Sequence, residues 1–277
     1  MKHLTITRRW KRVGLSALFL LVIACLGYER FQVAYGVSPE YPAYPVQPRH
    51  DDDTLRIAII GDSWAERHYH QHCDTIFDRW ARQMTDRPVK CLVRGHAGRT
   101  TKEIYQEMFK AQTPEAVHDV YCTQLLLEQH PDFCVVMAGI NDIGRQCPPG
   151  YYTGNYERIL RTLLGCGIRP VVMEIPQIDV ERLTNWRKWY QQLYVGIASF
   201  FLGADKDVAL YQQAMRTMLE RTGLADSVLY IAASEWDVSH TGPVPIPAFY
   251  TPDGFHLTNL GYRSLDSCIV KRLTEWE

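Results

Sequence analysis

The chain has 277 residues, 46% of them hydrophobic and 22% charged, with a formal net charge of -1. That suits one ordinary globular domain with a modest appendage. The balance is not basic enough for a nucleic-acid-binding surface, so no nucleic-acid partner is expected.

The N-terminus departs from this average. Lys2, Arg8, Arg9, Lys11 and Arg12 precede a stretch from Val13 to Tyr28 that holds no charge. This is the layout of a secretory signal or signal anchor, and its basic flank places the N-terminus in the cytoplasm and the rest of the chain outside. The stretch is short against the usual span of about 17 to 25 residues, and Phe31 to Val33 can extend it. An uncleaved transmembrane anchor over 13–33, after a cytoplasmic 1–12, is the expectation. Val22-Ile23-Ala24-Cys25, which resembles a lipobox, keeps a lipoprotein open beside a cleaved signal.

Residues 34–53 carry Pro39, Pro42, Pro45 and Pro48 among tyrosines and end in Asp51-Asp52-Asp53, the composition of an extended linker. From residue 54 to 277 strand-like runs alternate with helix-like segments. Strands are predicted over 55–60, 89–93, 133–138, 168–175 and 228–231. Helices are predicted over 64–84, 100–112, 114–129, 155–164, 181–201, 208–221 and 258–273. Such alternation argues for a mostly parallel five-stranded sheet with helices on both faces. Thr100 and Glu103 fit a capping box. Residues 179–224 exceed one crossover, and read either as two helices on the sheet or as a flap facing substrate or membrane.

Chemistry-bearing residues gather at the ends of the strands. The run Ile57-Ala58-Ile59-Ile60 stops at Gly61-Asp62-Ser63-Trp64, which places Ser63 just past a buried strand, as a helix cap or as a nucleophile. After the second strand comes a glycine-bearing turn, Arg94 to Thr100, and after the third comes Gly139-Ile140-Asn141-Asp142. Near the C-terminus Asp253-Gly254-Phe255-His256 sets a carboxylate and an imidazole three apart, close enough to fix the imidazole tautomer. Together these residues can form an acyl-transfer site at one sheet edge.

The four stretches resemble the blocks of the SGNH (GDSL-type) hydrolase family: Gly61-Asp62-Ser63, then Gly98, then Gly139-Ile140-Asn141-Asp142, then Asp253-Gly254-Phe255-His256. They occur in the family's order and span residues 55 to about 265. The resemblance implies a three-layer α/β/α sandwich, flavodoxin-like, with esterase-type activity and no cofactor or metal. It implies Ser63 as nucleophile, His256 as general base and then acid, and Asp253 as its orienter. The N–H groups of Ser63 and Gly98 and the side-chain amide of Asn141 would form the oxyanion hole. The G-x-S-x-G elbow of α/β-hydrolases is missing around Ser63. The first block departs from the family in lacking a glycine soon after the serine, and the second in lacking an asparagine near Arg94.

The resulting expectation is a membrane-tethered, extracytoplasmic serine esterase acting on a small-molecule or glycan ester, with O-acetyl carbohydrate as the leading substrate. An O-acyltransferase on an envelope glycan, a lipid esterase and a non-catalytic polysaccharide-assembly subunit are the alternatives. Arg67, Arg94, Arg99 and Arg145 are candidates to border the cleft and favour acidic or polar substrates, with surface ion pairs as the alternative. His68, His70, His72 and Cys73 form a weaker metal-ligand candidate. Trp64 is placed either to stack on a sugar or to pack. Eight cysteines, without paired metal-ligand spacing, leave any disulfides undecided.

Overall fold

The structure, a computed structural model, describes residues 13–22, 24, 27, 36–42, 51–70, 72–109, 123–185, 188–202, 207–236 and 248–276. The chain divides into two units, Met1–Gly36 and Val37–Glu277. In the first, residues 13–22 are helical and exposed. Much of the expected anchor after residue 22 lies outside the described residues. Among the described residues no helix is long and apolar enough to cross a membrane.

The second unit is built on five parallel strands: β1 (Leu55–Gly61), β2 (Val89–Gly95), β3 (Phe133–Met137), β4 (Arg169–Met173) and β5 (Leu229–Ile231). Their order across the sheet is β2-β1-β3-β4-β5. Ile57, Ala58, Ile59 and Ile60 are all at most 1% exposed, so β1 is covered on both faces, as its unbroken apolar run requires. The helices are α1 (Ser63–His70), α2 (Cys73–Met84), α3 (Thr101–Glu107), α4 (Thr123–Leu127), α5 (Ile140–Gly144) and α6 (Pro149–Gly165). They continue with α7 (Val180–Asn185), α8 (Trp189–Leu202), α9 (Val208–Thr222), α10 (Ala233–Trp236) and α11 (Asn259–Trp276). One helical layer packs α2 on α11, and the other packs α3, α6 and α9 in succession. The result is a three-layer α/β sandwich.

Register brings the strand ends to one level. Gly61 pairs with Gly95 of β2 on one side and with Met137 of β3 on the other. The turns that follow these three strands therefore open at the same height on the carboxyl edge of the sheet, where ligands bind in open α/β folds. Gly61 is required there: at φ 153°, a Cβ would stand 1.9 Å from the Met137 carbonyl oxygen.

Several predicted elements differ in extent. The helix expected over 64–84 is broken, and His72 takes a left-handed conformation, φ 54°, before α2. The break separates α1, which leaves the strand edge, from α2, which returns along the sheet against α11. Helix α6 begins at Pro149 rather than at Asn155, because proline in the first turn lacks only an N–H that has no helical acceptor. The short helices α5 and α10 were not predicted. Thr100 caps α3 with the expected box, its side chain accepting from Glu103 N–H while Glu103 reaches back to Thr100 N–H. The helix expected over 114–129 is described only at α4, the rest lying outside the described residues.

Part of the expected linker is docked. Ser38 N–H donates to Asn155 Oδ1 at 2.8 Å, Tyr41 N–H donates to the Tyr105 hydroxyl at 3.1 Å, and the Tyr41 ring stacks on Phe109. Residues 43–50, also in that stretch, lie outside the described residues. In the long insertion, α8 leaves Trp189, Leu193 and Phe200 exposed at 76%, 58% and 83%, so this stripe does not serve as sheet core. Cys134 and Cys166 are buried thiols and Cys268 is a half-buried one.

Candidate active site

Ser63 is the first residue of α1, directly after the β1 turn. Asp62 fixes that turn from both sides: its N–H donates to the Met137 carbonyl at 3.0 Å, and its Oδ1 accepts from Trp64 N–H at 3.0 Å. The side chain of Ser63 meets His256, whose Nε2 lies 3.0 Å from Ser63 Oγ although 193 positions separate them. His256 Nδ1 lies 2.8 Å from Asp253 Oδ2. With Nδ1 protonated toward the carboxylate, Nε2 is left as an acceptor for the serine hydroxyl.

The loop carrying Asp253 and His256 is closed on itself. Tyr250 and Leu257 form an antiparallel bridge, and Thr251 N–H donates to the His256 carbonyl at 2.8 Å. Gly254, at φ 78°, lets the loop turn within contact of Asp179, where a Cβ would lie 2.6 Å from the Asp179 Cβ. Asp253 Oδ1 collects the Thr251 hydroxyl at 2.7 Å, His256 N–H at 3.0 Å and Phe255 N–H at 3.1 Å.

These contacts set the charges. Burial pushes the Asp253 carboxyl up, but the donors from His256, Thr251 and Phe255 outweigh it and hold the group at about 2. Burial lowers the His256 pKa and Arg67 lowers it further, against the opposing pull of Asp253. A neutral imidazole beside an ionised carboxylate is the state a general base needs.

Asn141 is the second residue of α5, just past β3, and one of its amide hydrogens goes to Asp62 Oδ2 at 3.2 Å. The other hydrogen has no acceptor among the described residues. Gly98 lies in the turn after β2 at φ 78°, and its carbonyl accepts from Arg145. Neither Ser63 N–H nor Gly98 N–H donates to another group among the described residues. The expected site residues thus stand at the ends of three adjoining strands and on the loop before α11. Behind them, burial raises the Asp62 pKa to about 7, against the donors from Trp64 and Asn141. Asp142 is raised to about 7 by burial as well, while receiving Thr101 N–H and the Thr101 hydroxyl.

Other expectations resolve differently. Trp64 is only 4% exposed and donates its indole N–H to the Phe255 carbonyl at 2.8 Å, so it packs rather than stacks on a ligand. His68 Nε2 lies 2.8 Å from Asp266 Oδ1, both side chains fully buried, and no group of three or more potential metal ligands converges among the described residues. Arg99 pairs with Glu103 and Glu107, Arg145 pairs with Glu103, and Arg94 turns onto the Val93 carbonyl. The role of Asp62 as acceptor for Asn141, and that of Thr251 as donor to Asp253, carried no assignment from the sequence. Their signals were present, Asp62 inside the first block and Thr251 two residues before Asp253.

Known proteins share the family and the fold of this chain. The model of the GDSL-like Lipase/Acylhydrolase family matches residues 59–264. A GDSL-like lipase from Bacteroides thetaiotaomicron superposes with a TM-score of 0.51 at 16% identity, covering 90% of this chain and 97% of that one. A lipase/acylhydrolase from Enterococcus faecalis gives 0.51 at 16% identity, covering 80% and 96%. An acetyl xylan esterase gives 0.53 at 14% identity, covering 78% and 98%. At these identities the likeness is one of fold. No curated protein sequence matches. With the family model spanning all four blocks and the strand edge that carries them, the chain belongs to the GDSL-like lipase/acylhydrolase family and is an ester-hydrolysing enzyme.

Proposed function

We propose that the enzyme works through an acyl-serine intermediate at Ser63 and removes O-acetyl or similar acyl groups from a carbohydrate outside the cytoplasm. The observation that carries the mechanism is the continuous relay Asp253–His256–Ser63, with separations of 2.8 and 3.0 Å. His256 Nε2 takes the Ser63 proton as Oγ attacks the ester carbonyl, and the oxyanion settles against Ser63 N–H, Gly98 N–H and the spare Asn141 hydrogen. The imidazolium then protonates the leaving alcohol. Water, deprotonated by His256, attacks the acyl-enzyme and releases the acid, returning the proton to Ser63.

The location rests on the basic segment 2–12 followed by the uncharged stretch 13–28, and the carbohydrate rests on that location and on the habits of the family. The fold itself accommodates such chemistry, since one structure of similar fold is named an acetyl xylan esterase. The test is release of acetate from p-nitrophenyl acetate and from a panel of acetylated sugars, with Ser63→Ala alongside. Ser63-dependent release from at least one sugar is expected. Equal rates for the wild type and a folded Ser63→Ala protein would contradict the mechanism, and Ser63-dependent release from the nitrophenyl ester alone would contradict the substrate. Protease added to intact cells, or to cells with only an outer barrier opened, should remove the domain if it lies outside the cytoplasm, and protection of the domain in the latter would contradict the location.

A further inference from the structure

Of the four arginines expected near the cleft, three are spoken for. Arg99 and Arg145 are paired with glutamates, and Arg94 points onto its own strand. Arg67 is different: it is half-buried, and it has neither a carboxylate partner nor a hydrogen-bond acceptor among the described residues. A guanidinium carries five donors, and withdrawing it partly from water without an acceptor is costly. Its neighbour Glu66 does not serve it, because that carboxylate accepts Ala97 N–H and faces His70.

Its position is set by the helix. Arg67 follows Ser63 by four residues on α1, so it stands one turn along on the same face as the nucleophile. Its charge is also felt at His256. A positive group held next to the imidazole works against the imidazolium that forms during the reaction. A substrate anion placed on Arg67 would cancel that charge and accept from its guanidinium.

We propose that Arg67 is a specificity-determining residue that binds a carboxylate carried by the substrate, so that the preferred substrate is an ester on an acidic molecule. The inference rests on the hydrolase reading above and adds the substrate's charge class. An O-acylated acidic sugar fits it better than a neutral one. The carboxylate can belong to the alcohol part or to the acyl part of the ester.

Two matched pairs of esters distinguish these sources: 3-acetoxybenzoate against 3-acetoxybenzamide for the alcohol side, and p-nitrophenyl hydrogen adipate against its methyl ester for the acyl side. The quantity read is the ratio of kcat/KM for the anionic ester to that for its neutral partner. In Arg67→Met this ratio falls at least about tenfold for one pair, mainly through KM, and Arg67→Lys restores part of it. The preference also weakens as salt is added. A ratio in Arg67→Met within about twofold of wild type for both pairs overturns the proposal. Failure of the hydrolase reading would appear separately, as turnover of the neutral esters that does not depend on Ser63. In that event, calorimetric binding of 3-acetoxybenzoate and the adipate ester to Ser63→Ala decides: binding of either one lost on adding Arg67→Met supports the anion site, and equal or absent binding of both overturns it.

Discussion

At the scale of single residues, the site works by dividing the oxygens of its two carboxylates between separate donors. Asp253 spends Oδ1 on the loop and Oδ2 on His256, and Asp62 spends Oδ1 on Trp64 and Oδ2 on Asn141. The second arrangement makes the Asn141 amide a preorganised donor. Asn141→Ala should therefore cut kcat by about 10²–10³, roughly 2.7–4 kcal/mol of barrier, while circular dichroism shows the fold retained. Near-normal turnover in that variant would remove Asn141 from the oxyanion hole. The pH profile follows from His256. Catalysis needs the neutral imidazole, and burial with Arg67 lowers its pKa below the usual 6.5, so the acid limb of kcat/KM should have its midpoint below that value. Activity is lost as pH falls through the midpoint, while Asp253 stays ionised throughout. A midpoint at or above the usual value would contradict the role given to His256 or the burial of its ring. That Ser63, Asn141, Asp253 and His256 gather at one sheet edge was legible because each stands at a strand end or loop in a recognisable block. The bond between Asp62 and Asn141 was not, because it joins positions 79 apart that only the register of β1 with β3 brings together.

At the scale of elements, the nucleophile helix and the histidine loop must keep their spacing although they come from opposite ends of the domain. Three buried hydrogen bonds tie the nucleophile helix down, one to the histidine loop and two to α11, which follows that loop. Trp64 Nε1 donates to the Phe255 carbonyl, Tyr262 of α11 donates its hydroxyl to the Trp64 carbonyl, and His68 meets Asp266 of α11, each at 2.8 Å. Phe255 directly precedes His256, so the indole sets the height of the base over Ser63. Trp64→Phe keeps an aromatic ring and removes the donor, leaving a buried carbonyl unsatisfied at a cost of about 1–3 kcal/mol. A fall in kcat of about tenfold with KM little changed is expected, since a small misplacement of the base affects the transition state more than binding. Unchanged kcat with lowered thermal stability would show that the bond only holds the fold. Sequence periodicity placed the strands and the last helix well. It missed the break at His72 because histidine carries no turn signal and its left-handed backbone is not visible in the residue type, and it missed the early start of α6 because a proline reads as a turn signal whether a helix is ending or beginning.

At the scale of the whole molecule, the catalytic unit begins before its first strand. Residues 37–42 lie along α6 and α3, with Ser38 bonded to Asn155 and Tyr41 to Tyr105. Prolines in this region pointed to an extended chain, and composition alone does not tell whether an extended chain is solvated or docked. A protein beginning at Asp51 should be less stable than one beginning at Val37 by about 1–3 kcal/mol, because Asn155 and Tyr105 lose buried partners and Phe109 loses a stacking ring. Urea denaturation of the two proteins measures this, and coincident midpoints would show the docked segment to be energetically idle.

The proposed mechanism makes Ser63 a nucleophile activated by His256. It is tested most directly by reacting the protein with diethyl p-nitrophenyl phosphate and mapping the adduct by peptide mass spectrometry. Stoichiometric phosphorylation of Ser63, lost in His256→Ala although that protein remains folded, is the predicted result. No adduct, an adduct on another residue, or labelling of Ser63 that does not depend on His256 would contradict the account.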